Sequence, residues 1–188
     1  MIDSSLCYLL RGDEVLMMHR TRKKNDMNHD KWIAVGGRFE AGESPEECAL
    51  REVREETGLT MVDPQYRGIV TFVNDLYETE RMHLFTTETF TGEMTDCDEG
   101  ELVWIKKEEL DRLPQWEGDR IFHRLLKEGI PFFELVLVYS GEKLLYADLN
   151  GKRCRFEEER FLFHSERHRE NDTKNGEKAL MALTNKDG

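Results

Sequence analysis

Short apolar runs at residues 5–10 (Ser-Leu-Cys-Tyr-Leu-Leu) and 14–19 (Glu-Val-Leu-Met-Met-His) flank Arg11-Gly12-Asp13. Two such runs around a glycine predict a β-hairpin. The polar stretch 20–31 predicts a loop, and Trp32–Val35 a short strand that Gly36-Gly37 ends. Residues 45–57 read as a helix from every local signal. Ser44 is a good N-cap, Pro45 suits the first helical position, and Glu47 completes a Ser-x-x-Glu capping box. Gly58 is a natural C-terminal stop. Beyond it, Gly68–Val73, Met82–Thr87 and Leu102–Ile105 predict strands and Lys107–Arg112 a short helix. Asp119–Lys127 predicts an amphipathic helix through Ile121, Phe122, Leu125 and Leu126. Two late strands, Phe132–Tyr139 and Lys143–Leu149, flank the turn Ser140-Gly141-Glu142. Strands on both sides of one strong helix place the chain in the mixed α+β class.

The same pattern divides the chain into a globular domain over 1–151 and a charged tail over 152–188, expected to be disordered or weakly helical. From His164 to Gly188 there is no Phe, Trp or Tyr to anchor a core. Apolar residues make up 38% of the sequence, enough for one core, while no run approaches the roughly 20 apolar residues of a membrane span. The first residues carry no basic and apolar leader pattern. Cys7, Cys48, Cys97 and Cys154 show no C-x-x-C pair, which fits reduced thiols and argues against a zinc site or a disulfide framework. A cytoplasmic protein is the expectation. Net charge is -12, so a nucleic-acid polymer is a poor partner and a membrane is not expected. A small phosphorylated ligand stays compatible, because a bound cation reverses the local sign.

At about 100° per residue, Glu52, Glu55 and Glu56 share one helical arc, and Leu50, Val53 and Thr57 lie opposite, where they can pack on a sheet. Like charges on one face repel, and hard divalent cations with oxygen ligands are natural partners for them. Arg51 and Arg54 flank the cluster and can pair with Glu43 or Glu47. A solvated acidic helix face is the alternative for the three glutamates taken alone.

The whole segment Gly37–Leu59 resembles the Nudix signature, a glycine, then glutamate after five residues, then Arg-Glu-aliphatic-x-Glu-Glu-x-Gly-aliphatic after seven. Gly37, Glu43, Arg51, Glu52, Val53, Glu55, Glu56, Gly58 and Leu59 occupy its fixed positions. The resemblance, covering about residues 5–150, implies a loop–helix–loop in an α/β/α sandwich with a mixed sheet. It implies Mg²⁺ or Mn²⁺ held by Glu52, Glu55, Glu56 and the Gly36 carbonyl, and water attack on a phosphoanhydride phosphorus. Glu52 and Glu56 are then the candidates for general base. Glu99, in the acidic run Asp98-Glu99-Gly100-Glu101, is the expected carboxylate from a distant loop.

Within the family the chain resembles MutT-like 8-oxo-dGTP diphosphatases, through Lys31–Arg38, Trp104, and Gln115–Asp119. That likeness assigns Trp116 to stacking on a purine and Asp119 to its edge. Gly118 and Ile33 stand where those enzymes carry a second aspartate and a base-contacting asparagine. Lys23, with Arg22 and Lys24, Gly37 and Arg38 are candidates to meet the substrate, a solvated basic loop being the alternative for the lysines. His29, His83 and His123 have no ligand spacing and read as structural or surface residues. The expected activity is hydrolysis of a nucleoside triphosphate to monophosphate and pyrophosphate. The alternatives are a pyrophosphatase acting on ADP-ribose or another nucleoside diphosphate derivative, and a ligand-sensing module without catalysis.

Overall fold

The computed structural model describes residues 1–22 and 26–154. In chain order its elements are β1 (Ile2–Arg11), β2 (Glu14–His19), β3 (Trp32–Ile33), α1 (Pro45–Thr57), β4 (Thr60–Val62), β5 (Gln65–Asn74), β6 (Glu80–Thr87), β7 (Thr89–Thr91), β8 (Glu101–Lys106), α2 (Asp119–Lys127), β9 (Phe133–Ser140), β10 (Lys143–Leu149) and β11 (Lys152–Cys154). Nine strands form one mixed sheet in the order β11-β10-β9-β5-β6-β1-β2-β3, with β8 also pairing β2. β1–β6 and β5–β9 are parallel, and β5–β6 is antiparallel. A separate ribbon pairs β4 with β7. Among the described residues no helix is long and apolar enough to cross a membrane.

β1 organises the layers. Successive side chains of a strand point to opposite faces. Cys7 and Leu9 belong to a cluster with Ala49 and Val53 of α1, Phe85 of β6 and Leu16 and Met18 of β2. Tyr8 faces the other way, its ring 6.3 Å from Phe122 of α2 and its hydroxyl 2.9 Å from His123 Nε2. The two helices therefore cover opposite faces of the sheet.

The expected α1 is present to the residue. Ser44 accepts from the Glu47 N–H, Glu47 accepts from the Ser44 N–H at 2.9 Å, and Gly58 ends the helix in the left-handed region at φ 75°. Its buried side carries Cys48, Ala49, Val53, Glu56 and Thr57. Several expectations need correction. The stretch 107–112 forms only a 3₁₀ turn at Leu110–Arg112. The third strand is two residues long, and Val35 instead bridges Cys7. The β4–β7 ribbon and β11 have no counterpart among the strands expected from periodicity. β11 carries the sheet three residues past 151, and the remainder of the expected tail, 155–188, lies outside the described residues, as does Lys23.

The capping box sets one prediction. Ser44→Ala removes the side-chain acceptor of the first turn and should lower stability by about 1 kcal/mol. Urea titration should show a lower midpoint at unchanged slope, and an unchanged midpoint would mean that the packed face of α1 alone holds it.

Candidate active site

β1 and β2 pair only at Leu10–Val15 and Arg11–Glu14. Below that tip the segment 35–39 takes the place of β2: the Cys7 N–H donates to the Val35 carbonyl at 2.7 Å, the Ser5 N–H to Gly37 at 2.8 Å, and the Phe39 N–H to Asp3 at 3.0 Å. The approach requires Gly36, whose φ is 146° and where a Cβ would stand 2.2 Å from the Ser5 carbonyl oxygen. A Cβ on Gly37 would stand 2.4 Å from the Glu52 carboxyl carbon. The two glycines thus let backbone meet strand on one side and carboxylate on the other.

A cleft of about 880 Å³ opens here. Gly36, Gly37, Arg38, Glu52, Glu56 and Glu99 line it together with Trp116, Asp119, Phe72, Tyr8 and Asn28, and with Ile33, which also packs against the α1 cluster. Glu56 is buried and accepts from the Gly36 N–H at 2.8 Å. Burial, with Glu52 and Glu99 nearby, pushes its carboxyl up to about 8 against the opposing Gly36 hydrogen bond. Burial likewise raises Glu52, with Glu55 and Glu99 adding to it and Arg51 opposing. Three carboxylates therefore feel one another across a partly desolvated space, where charge repulsion is least screened.

Arg51 is the internal counter-charge. Its guanidinium reaches Glu43 at 2.7 Å, Glu52 at 2.7 Å, Glu55 at 3.1 Å and the Arg38 carbonyl at 3.0 Å. It holds Glu43 down to about 2. Arg20 does the same for the loops, pairing with both Glu99 and Asp26. Among the described residues no three acidic, histidine or cysteine side chains already stand together as a ligand set. The donor chemistry nevertheless fits a hard divalent cation: the candidates are oxygen ligands only and like-charged, and Glu52 and Glu56 are raised first by burial and then by neighbouring carboxylates that a cation would offset. Glu52, Glu56 and Glu99 share the cleft, whereas the Glu55 side chain is 61% exposed and is not among its lining residues.

In the same cleft Trp116 is 6% exposed. Its Nε1 donates to Asn28 Oδ1 at 2.8 Å, its ring meets Phe72 and Tyr139 edge-on at 5.2 Å each, and Lys31 Nζ lies 4.6 Å from its centroid. It is at once a packed aromatic and a cleft wall. Trp32 is outside the lining and stacks on His19 at 4.7 Å. At Gly118 a Cβ would stand 2.5 Å from Leu137 Cδ1 and 2.7 Å from the Tyr139 hydroxyl oxygen, so a side chain there requires both of these side-chain ends to shift. That hydroxyl accepts from the Gly118 N–H at 2.7 Å. The position where the resemblance expects a second acid is occupied instead by the ends of Leu137 and Tyr139. Asp119, at the start of α2, keeps its place in the cleft, and burial pushes it up to about 7.

Cys7, Cys48, Cys97 and Cys154 are free thiols. His123 is half-buried, and the desolvation of its ring beside Tyr8 pulls it down to about 4. Sequence patterns did not point to Tyr8, Phe72, Asn28 or Arg20. The two-residue alternation along β1 and β5 could have found the first two, because Tyr8 and Phe72 face opposite to the α1 cluster. Asn28 and Arg20 belong to a loop that carries no periodic signal.

Asp119 yields a pH prediction. Its folded value is about 7 against 3.8 for an unperturbed aspartate, so the unfolded chain ionises first as pH rises. The native state then loses relative stability between about pH 4 and pH 7 and levels off above that. Asp119→Asn removes this loss, so without added metal the melting temperature of the parent should fall relative to the variant across that window. A constant difference between them would refute the assignment.

Residues 2–126 match the NUDIX domain family. A Bacillus subtilis protein described as an uncharacterized Nudix hydrolase is 32% identical over 141 residues, spanning 72% of this chain and 85% of that one. An oxidized purine nucleoside triphosphate hydrolase of Danio rerio is 32% identical over 109 residues, spanning 55% of this chain and 67% of its own. Among solved structures, the MutT protein of Bacillus halodurans superposes with a TM-score of 0.71 at 29% identity, covering 80% of this chain and 98% of that one. The signature residues, the mixed sheet between two helices and these relatives agree: the chain belongs to the Nudix family and is a Nudix hydrolase.

Proposed function

We infer that the protein hydrolyses a purine nucleoside triphosphate, in the class of oxidised purines such as 8-oxo-dGTP, to the monophosphate and pyrophosphate. The observation that carries this reading is a cleft that brings acidic oxygen donors together with an aromatic wall and a raised acid. The description of the Danio rerio relative, and that of a Mycolicibacterium smegmatis 8-oxo-(d)GTP phosphatase 27% identical over 145 residues, supports the choice of base.

Glu52 and Glu56, with Glu99 and the Gly36 carbonyl, would hold Mg²⁺ or Mn²⁺. The ion supplies charge neutralisation of the pyrophosphate oxygens and an activated water. Glu56 is aimed by the Gly36 N–H, and Arg51 keeps Glu52 from turning to solvent. Arg38, exposed at the cleft edge, adds positive charge where phosphate oxygens arrive. Phe72 and Trp116 give the base an apolar surface, and a protonated Asp119 donates a hydrogen bond to a ring acceptor.

A second reading, a nucleoside diphosphate derivative such as ADP-ribose, is favoured by Ile33 and Gly118. Ile33 cannot hydrogen-bond a base and position 118 carries no side chain, so these two positions supply neither of the polar contacts that the resemblance assigns to them.

Metal-dependent release of pyrophosphate across a nucleotide panel tests the choice. Triphosphates should yield pyrophosphate with Mg²⁺ or Mn²⁺, whereas AMP and ribose 5-phosphate from ADP-ribose would establish the second reading. Glu56→Gln keeps an oxygen for the Gly36 N–H and should lower kcat by about 10²–10⁴-fold with the fold intact. Full activity in that variant would remove Glu56 from the chemistry.

A further inference from the structure

The floor of the cleft carries a polar pair that the proposed reaction does not use. Ser4, Phe72, Glu80 and Met82 all line it, on the sheet face opposite the α1 cluster. Register fixes their neighbourhood: Glu80 stands directly across from Phe72 of β5, and Ser4 directly across from Met82, so Ser4 and Glu80 are diagonal neighbours. Phe72 in turn touches the Trp116 ring. The Ser4 side chain alternates with that of Ser5, whose hydroxyl accepts from Cys48 on the α1 side. The Ser4 Oγ therefore faces the cleft, where it is buried without a hydrogen-bond partner, the residue being 2% exposed. Among the described residues the half-buried Glu80 carboxylate makes no hydrogen bond or ion pair.

A carboxylate only accepts hydrogen bonds, and a serine hydroxyl accepts or donates. A planar ring placed against Phe72 strips water from the half-buried Glu80 carboxylate, while the Ser4 Oγ is already shielded from water and lacks a partner. Desolvating an acceptor without replacing its hydrogen bonds is costly, so a ligand edge carrying N–H donors gains over one that lacks them. Selection of this kind is strong because the loss falls on buried protein groups as well as on the ligand.

We propose that Glu80 and Ser4 form a specificity subsite that accepts an N–H donor from the base, so that the cleft selects purines bearing an exocyclic amino group over those without one. This deepens the nucleotide reading above and rests on the base lying against Phe72. Glu80 sets the preference, and Ser4 supports it from the diagonal position.

Calorimetric binding with the full-length protein tests the subsite independently of turnover, using two pairs of monophosphates that differ by one amino group. These are guanosine against inosine monophosphate, and adenosine against purine riboside monophosphate. In at least one pair the amino-bearing member should bind about tenfold tighter. Glu80→Leu should shrink that ratio to within about twofold, Glu80→Gln, which keeps an amide oxygen, should retain part of it, and Ser4→Ala should weaken the amino-bearing member alone. Equal binding within both pairs, an undiminished ratio in Glu80→Leu, or a preference that follows the ribose 2′-hydroxyl in guanosine against deoxyguanosine monophosphate would overturn the proposal. Hydrolysis of the matching triphosphates is scored separately. Absence of cleavage with the ratio still abolished in Glu80→Leu supports the subsite and sinks the triphosphate reading instead.

Discussion

The close pairing of β1 with the segment 35–39 is the constraint on which the site depends. β2 leaves β1 after two residue pairs, and the backbone of Val35 and Gly37 takes up the strand's hydrogen bonds in its place. Only glycine fits at position 36, because a Cβ there would collide with the Ser5 carbonyl. That close approach turns the Gly36 N–H toward Glu56 and brings Gly37 against the Glu52 carboxyl. Without it, α1 would still carry its glutamates, but with no backbone donor to orient them.

Electrostatics explains the arrangement around that seam. The chain carries net charge -12, yet two arginines sit inside its acidic regions and not on a distant face. Arg51 ties together Glu43, Glu52 and Glu55, and Arg20 ties Glu99 to Asp26. Each guanidinium offers several donors in a fixed fork, which suits holding more than one carboxylate. Among the described residues Glu56 accepts from one backbone N–H and pairs with no guanidinium, and burial with its acidic neighbours pushes it up to about 8. The acidic residues thus repel one another in a partly desolvated space, a repulsion that a bound cation would offset.

Around the aromatic wall, packing decides which polar groups remain. Leu137 and the Tyr139 hydroxyl occupy the space that a side chain at 118 would need, so the start of α2 offers one acid, Asp119, in place of two. The sheet floor supplies others. β1 and β6 turn Ser4 and Glu80 to the same face as Tyr8 and Phe72, so polar and aromatic groups meet without any loop being involved. Ile33 and the glycine at 118 carry no side-chain hydrogen-bonding group, whereas Ser4 and Glu80 of the strands, Asn28 of a loop and Asp119 of α2 bring polar groups to the cleft.

The sequence by itself determined α1 and the family to which its signature belongs. Its bounds and caps are local features and stand in the structure as expected, whereas Glu56, grouped by spacing with Glu52 and Glu55 away from the packed side, is itself buried. The long strands were legible for the same reason, since alternation along a strand is a property of neighbouring residues. What lay beyond reach is long-range. The β4–β7 ribbon is three residues per strand, too short for periodicity, and exists because segments remote in sequence meet. Arg20, Asn28, Ser4 and Glu80 carry no motif, and they become cleft residues only when sheet register brings them beside Phe72, Trp116 and Glu99. Gly118 reads in the sequence as a missing acid, and the structure adds that Leu137 and Tyr139 pack their side-chain ends into the space beside it. Local spacing specifies which groups can do chemistry, and tertiary pairing decides which of them share one desolvated space.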